Sequence, residues 1–301
     1  MFQLHDEQLA DGLRRILNEQ IEAAIADLRE HPDQTRDEGV HEARKRCKRL
    51  RAMLRLVRDR LGDEVYQREN TAIRDASRQI APIRDAQVLV NTLDDAVAKA
   101  DGQLDAAAVR PTRKALKDAH TRLRLHMLYR GTAGEQAIAA LTEVQQRTLD
   151  WPLGDLTFDD LAPGLQRVYR RGRKAMELSY ADPRPEHFHD WRKRVKYLWH
   201  QFELLEPAWP GPLEALADET HDLSDLLGDE HDRTVLESMV RDRPDLVEDP
   251  DVGRTLAVAL DEQREQLRAA ARPLGAKIYA ESPTQFTARI AGYWASGRLQ
   301  T

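Results

Sequence analysis

One cysteine, Cys47, in 301 residues leaves no partner for an intramolecular disulfide and excludes a multi-cysteine metal site. Aromatic residues make up only 6% of the chain, so few ring faces remain for stacking nucleobases. No uninterrupted apolar run approaches the ~18–20 residues that a membrane-spanning helix needs. The opening residues, MFQLHDEQLADGLRR, lack the basic-then-apolar pattern of a secretory signal. Strong net charge is missing too: 46 Lys and Arg against 52 Asp and Glu leave a formal −6, which argues against a nucleic-acid coat basic throughout. Alternation of β-branched residues is almost absent, which speaks against sheet. These absences predict a cytosolic, all-α protein with no membrane partner and no resident cofactor.

What is present is a chain 33% charged and 41% apolar, its apolar residues recurring at spacings of three and four. That periodicity predicts helices over 5–30, 39–61, 63–80, 82–100, 104–129, 134–150, 159–181, 186–206, 211–227, 229–241, 252–271 and 274–297. Glycine and proline punctuate the sequence between them, at Gly62, Pro82, Gly102, Gly131, Gly228, Pro250 and Pro273 among others.

The helices repeat. Residues 40–50, VHEARKRCKRL, align without a gap to residues 188–198, FHDWRKRVKYL, matching His41 to His189, Arg44 to Arg192, Lys45 to Lys193 and Lys48 to Lys196. Upstream, Leu9-Ala10-x-Gly12-Leu13-x-Arg15 matches Leu161-Ala162-x-Gly164-Leu165-x-Arg167; downstream, Arg84-Asp85-x-x-Val88-Leu89 matches His231-Asp232-x-x-Val235-Leu236. Three blocks in one order at nearly constant offset make the chain two copies of a helical unit, about 5–150 and 156–300, joined near Trp151–Asp155. The junction is too short to promise independent domains, so one domain of two repeats is expected.

Each copy carries a seam and a stripe. Val40, Ala43, Cys47, Leu50, Leu54, Val57 and Leu61 follow a 3-4-3-4 spacing, the pattern of a packing seam. Beside it run His41, Arg44, Lys45, Lys48, Arg51, Arg55 and Arg58, interrupted only by Ala52 and Asp59; residues 41–60 hold nine Arg or Lys against two acids. The second copy keeps the seam with Phe188, Trp191, Val195, Leu198, Phe202 and Leu205, and the stripe with His189, Arg192, Lys193, Lys196 and His200. Cys47 occupies the place of Val195, which predicts a buried, inert thiol. Further basic faces fall at Arg113, Lys117, His120 and Arg124, at Arg167, Arg170, Arg171 and Lys174, and more weakly at Arg264, Arg268 and Arg272. Acids gather elsewhere, at 214–232 and 242–251. Charge segregated in this way predicts a positive groove on an anionic body, and so a polyanionic ligand.

The duplicated HxxRKxxK helix, followed about 44 residues later by an Arg/His-Asp-x-x-Val-Leu helix, resembles the CHAD domain (conserved histidine α-helical domain) along essentially the whole chain. The resemblance implies two pseudo-symmetric four-helix bundles flanking a basic channel, non-catalytic binding of inorganic polyphosphate, and association with polyphosphate granules. Matched residue by residue, it implies binding roles for His41, Arg44, Lys45, Lys48, His189, Arg192, Lys193 and Lys196; Arg51, Arg55 and the other two strong stripes join by charge alone. The sequence has no ExExK motif of the triphosphate-tunnel domains to which this family is sometimes fused, so it resembles a stand-alone form. The repeat exchanges Arg84 for His231, so that pair is not expected to contribute equally.

Two other readings suit parts of the sequence. Nucleic acid would also suit a basic groove, but no zinc-finger spacing, RNP signature or clear helix-turn-helix is present. His-Asp occurs four times, at 5–6, 189–190, 221–222 and 231–232, against about one expected from composition. A metal-dependent phosphohydrolase could use His221, Asp222, Asp225 and His231 as ligands. The repeat already accounts for His189 and His231, however, and puts Arg84 opposite one of them, where an arginine would hold no metal. Asp85 and Asp232, flanking the stripes, are expected to pair with and orient a stripe cation.

Overall fold

The computed structural model describes residues 2–4, 8–29, 36–100, 102–130, 132–247 and 249–297. The His5-Asp6 dipeptide lies outside them. The described residues form twelve α-helices and no strand: α1 (Leu9–Arg29), α2 (Arg36–Leu56), α3 (Arg58–Leu61), α4 (Asp63–Gln79), α5 (Ala81–Ala98), α6 (Arg110–Arg124), α7 (Ala133–Arg147), α8 (Phe158–Ala181), α9 (Pro185–Leu205), α10 (Pro210–Asp242), α11 (Pro250–Ile278) and α12 (Pro283–Gly297). None is long and apolar enough to cross a membrane.

Proline starts helices more often than it ends them. Pro82, Pro111, Pro185, Pro210 and Pro250 all sit in the first two helical positions, where a missing N–H costs nothing and the fixed φ suits the first turn. The α8 start is closed by a capping box: the Thr157 side chain accepts from the backbone of Asp160, whose carboxylate accepts from the Thr157 backbone N–H at 2.9 Å.

Three expected boundaries fall differently. Segments 211–227 and 229–241 are one 33-residue helix, α10, running through Gly228. Pro273 lies inside α11, held there by burial of Ala271, Gly275 and Ile278 on either side, and the chain turns only after Ile278. Tertiary packing overrides local breaking tendency at both sites, against about 1 kcal/mol for the glycine and about 3 kcal/mol for the proline. The helix predicted over 39–61 instead breaks at Val57, although the seam continues through the break, with Val57 and Leu61 both buried. Gly62 then turns the chain with a φ of 77°, a conformation open to glycine at little cost.

Both seams are core. Val40, Ala43, Cys47, Leu50 and Leu54 are buried, as are Phe188, Trp191, Val195, Leu198, Phe202 and Leu205. Burial pushes the Cys47 thiol up to about 12, as an inert packing residue requires. The main apolar cluster runs from Phe2 to Ile290 without dividing at the junction, and a second joins α5 and α6 to α10 and α11. The junction itself is clamped: Trp151 and Leu153 are buried, and Arg60 donates to the carbonyls of Pro152 and Gly154 at 3.0 and 2.6 Å. α2 packs directly on α9 and on α8. Gln201 donates to the Ala52 carbonyl at 3.1 Å and Arg49 pairs with Glu203 at 3.0 Å across that contact.

The approach of α8 to the end of α2 depends on Gly164. A Cβ there would stand 2.3 Å from the Leu56 carbonyl oxygen and 2.4 Å from that of Arg55, both rigid backbone atoms. Gly164→Ala is therefore expected to lower the unfolding free energy by at least about 1–3 kcal/mol, the usual cost of overpacking. Urea unfolding would check this; a variant as stable as the parent would show that the two helices can separate freely.

Candidate functional site

Because the seams fix the rotation of α2 and α9, the residues one position along from each seam must turn toward a common space. That space is a cleft of about 510 Å³, walled by His41, Arg44 and Lys48 of α2, Arg84, Asp85, Val88 and Leu89 of α5, His189, Arg192 and Lys196 of α9, and Asp225, Gly228, Asp229, His231, Asp232 and Val235 of α10. Three predicted positions from each repeat thus share one wall-to-wall site. Their positions along α2 and α9 are equivalent in the repeat, 148 residues apart.

The cations in the cleft are crowded and under-compensated. Among the described residues, Lys48, Arg192 and Lys196 have no carboxylate oxygen within 4 Å; only Arg44 does, at 3.3 Å from Asp85. Burial, with Arg192 and Arg44 close by, brings the Lys48 ammonium down to about 8. Burial also takes Lys196 well below the usual lysine range, with Arg192 and Lys48 adding to the drop. Arg44 and Arg192 are likewise lowered by burial. The rings of His189 and His231 lie 4.2 Å apart at 30°, and burial beside these cations lowers them to about 4 and about 3. His41 moves the same way, through burial and then Arg84. Nδ1 of His189 and Nε of Arg192 are buried without a hydrogen-bond partner. Such polar nitrogens are expensive to leave unpaired, since each forfeits the hydration it had in the unfolded chain.

The acids of α10 are not segregated from this groove. Asp225, Asp229 and Asp232, spaced i, i+4 and i+7, line its far wall. Burial raises Asp229 and Asp232 above the usual carboxylate range despite the cations opposite. Asp85 pairs with a stripe arginine as expected, whereas Asp232 has no cation within 4 Å among the described residues. Arg84 and His231, aligned with each other by the repeat, also face the cleft, although neither is among the expected ligand residues.

The remaining predicted residues lie elsewhere. Lys45 and Lys193 are beside the cleft without lining it, Lys193 at 4.0 Å from Asp190. Arg51 donates to Asn70 at 3.0 Å. Arg55, Arg167 and Arg171 line a separate small pocket. Arg170 and Lys174 are exposed on α8 and border neither space. Of the α6 face, Arg113 is tied bidentately to Asp94 at 2.6 and 2.8 Å, and Lys117, His120 and Arg124 also lie outside the cleft. His200, read as the end of the second stripe, is buried instead, its Nδ1 2.6 Å from Glu203. Burial alone would raise that carboxyl, but His200 and Arg49 hold it at about 2. The third, weaker stripe is structural: Arg268 donates to buried Glu230 at 2.7 and 3.0 Å, and Arg264 to Glu237 at 2.6 Å. Nor do His221, Asp222, Asp225 and His231 converge. His221 stacks on Trp199 with its Nε2 3.7 Å from Asp225, and no three His, Cys, Asp or Glu among the described residues group as metal ligands.

Residues 19–241, more than half of the chain, match the CHAD domain. The chain belongs to the CHAD domain family, a family associated with polyphosphate binding. No curated protein matched it significantly.

The crowding makes a prediction about the empty protein. Lys48 has a lower affinity for its proton when folded than the ordinary lysine value of 10.5, so the unfolded chain binds that proton more tightly. The resulting penalty is complete below about pH 8 and disappears as the pH rises past 10.5. Lys48→Met should therefore stabilise the ligand-free protein at pH 7, by up to about 3 kcal/mol, with the gain gone near pH 10.5. Urea unfolding at the two pH values would read it, and a variant less stable at pH 7 would contradict the account.

Proposed function

We propose that the protein binds inorganic polyphosphate in the cleft between α2 and α9 and does not turn it over. In this reading it is one domain of two helical repeats, about 5–150 and 156–300, arranged as pseudo-symmetric four-helix bundles. The cleft between equivalent helices forms the basic channel. The observation that carries the reading is the meeting of His41, Arg44 and Lys48 with His189, Arg192 and Lys196 in one space. A linear polyanion suits that space better than a compact one, because the two sets lie on adjacent packed helices and together extend one positive strip. Arginine supplies bidentate contacts to phosphate oxygens and lysine a point charge. A bound phosphate chain would remove the mutual repulsion of the buried cations and give the orphaned His189 and Arg192 nitrogens acceptors.

The cleft offers little to a nucleobase: its only stacked rings are two histidines facing each other, and its apolar wall is Val88, Leu89 and Val235. Its lining holds no serine, threonine, cysteine or tyrosine to act as a nucleophile, so a binding role fits it better than catalysis. Recruitment of the protein to polyphosphate granules follows naturally from such affinity.

Titration with long-chain polyphosphate beside single-stranded DNA of matched charge tests the ligand. Polyphosphate should bind more tightly. Its affinity should fall on the order of a hundredfold between 50 and 200 mM salt if about five phosphates are neutralised, as expected from counterion release. Arg44→Glu with Lys48→Glu, and separately Arg192→Glu with Lys196→Glu, should each weaken binding by at least about tenfold. No phosphate should be released with Mg²⁺ or Mn²⁺. Equal DNA affinity, salt-independent binding, or one charge-reversed pair with full affinity would defeat the reading, and metal-dependent hydrolysis would make the protein an enzyme.

A further inference from the structure

A second cationic pocket lies at the other end of α2. Five guanidinium groups from four helices converge there: Arg55 of α2, Arg58 of α3, Arg167 and Arg171 of α8, and Arg194 of α9. Arg194 stands two residues from both Arg192 and Lys196, so it projects about 200° around α9 from them at 3.6 residues per turn. The body of α9 therefore separates this pocket from the cleft. The pocket is far smaller, about 20 Å³ against 510 Å³. Its arginines are brought together by the close Gly164 contact, which lays the Arg167 and Arg171 turn of α8 against the end of α2.

The five are seated rather than loose. The Arg55 guanidinium lies 3.7 Å from the centre of the Tyr197 ring, and Arg58 lies 4.8 Å from that of Tyr66. Carboxylates restrain three of them: Asp63 on Arg58 at 2.8 Å, Asp59 on Arg167 at 2.7 Å, and Asp190 on Arg194 at 3.3 Å. All three carboxylates are exposed, from 45% to 79%. Arg55 and Arg171 pair with no carboxylate among the described residues. Arg167 keeps its Nη1 buried with no hydrogen-bond partner. Five positive groups against three rim acids leave an excess of two charges around a space with room for one small group. Burial lowers Arg171, and its neighbours Arg194, Arg58 and Arg167 lower it further, as expected of an uncompensated cluster.

We propose that this pocket is a second anion site, separate from the polyphosphate cleft, for a single tetrahedral dianion of the orthophosphate class. Two charges and several bidentate forks match the −2 charge and oxygen-rich surface of such a group. The group could be free orthophosphate or the terminal phosphate of a chain, and the test separates them.

Orthophosphate titrated calorimetrically into the full-length protein, against chloride at equal ionic strength, should bind saturably. Lys48→Gln with Lys196→Gln, which removes both lysine charges from the cleft, should leave that dissociation constant within about twofold. Arg171→Gln, at an exposed side chain, should weaken it at least tenfold, and Arg194→Gln should do the same should the first variant fail to fold. If Arg171→Gln leaves polyphosphate binding unchanged, the pocket takes free phosphate; if it weakens tripolyphosphate more than long chains at equal phosphate, it takes chain ends. Orthophosphate binding indistinguishable from chloride, or lost in the cleft variant and kept in both arginine variants, would overturn the proposal. A protein that binds orthophosphate here but no long chain would sink the polyphosphate reading alone.

Discussion

The packing of α2 on α9 is the constraint from which the rest follows. Each helix has one apolar seam, and burying both seams at once fixes how each is rotated about its axis. Once Cys47 and Leu50 are buried, Lys48 has no way out to bulk water except through the space that Arg192 and Lys196 also enter. The fold therefore holds like charges together in a half-dry place. Such charges are destabilising in themselves, and their depressed proton affinities record it. The apolar seams and two ion pairs, Arg49 with Glu203 between α2 and α9 and Arg167 with Asp59 between α8 and α3, hold the helices against that repulsion.

The α10 wall moderates the same field. Asp225, Asp229 and Asp232 face the cations without closing on them, and burial keeps two of the three short of full acidity. A groove lined by cations alone would be harder to fold and would hold any anion indiscriminately. Opposed carboxylates leave a net positive strip along α2 and α9, which favours a thin chain of charge over a broad one.

Much of this was legible in the sequence, because it rests on periodicity and duplication. The seams, the buried Cys47, the helical class and six of the cleft residues follow from spacing at three and four, read twice. What spacing could not give is which basic face meets which. Arg113 looks like a ligand residue on paper; Asp94, 19 residues away, takes it as an ion-pair partner. Arg264 and Arg268 look solvated and are buried on Glu230. His200 follows the stripe by one turn too many and enters the core, because α9 carries a broader apolar face there, with Gln201, Phe202, Leu204 and Leu205 all buried. Arg84 and His231 differ again: the repeat aligned them, but their unlike chemistry kept them out of the expected ligand set although both line the cleft.

The central claim is that the cleft stores electrostatic repulsion which a polyanion relieves. A ligand that does so must raise the proton affinity of Lys48 from about 8 toward the ordinary lysine value, and move Lys196 and the histidines in the same direction. The direct measurement is the heat of polyphosphate binding at pH 8 in two buffers of different ionisation enthalpy, which yields the protons taken up per binding event. The account predicts net uptake, reduced in Lys48→Met. Binding without proton exchange, or with release, would contradict it.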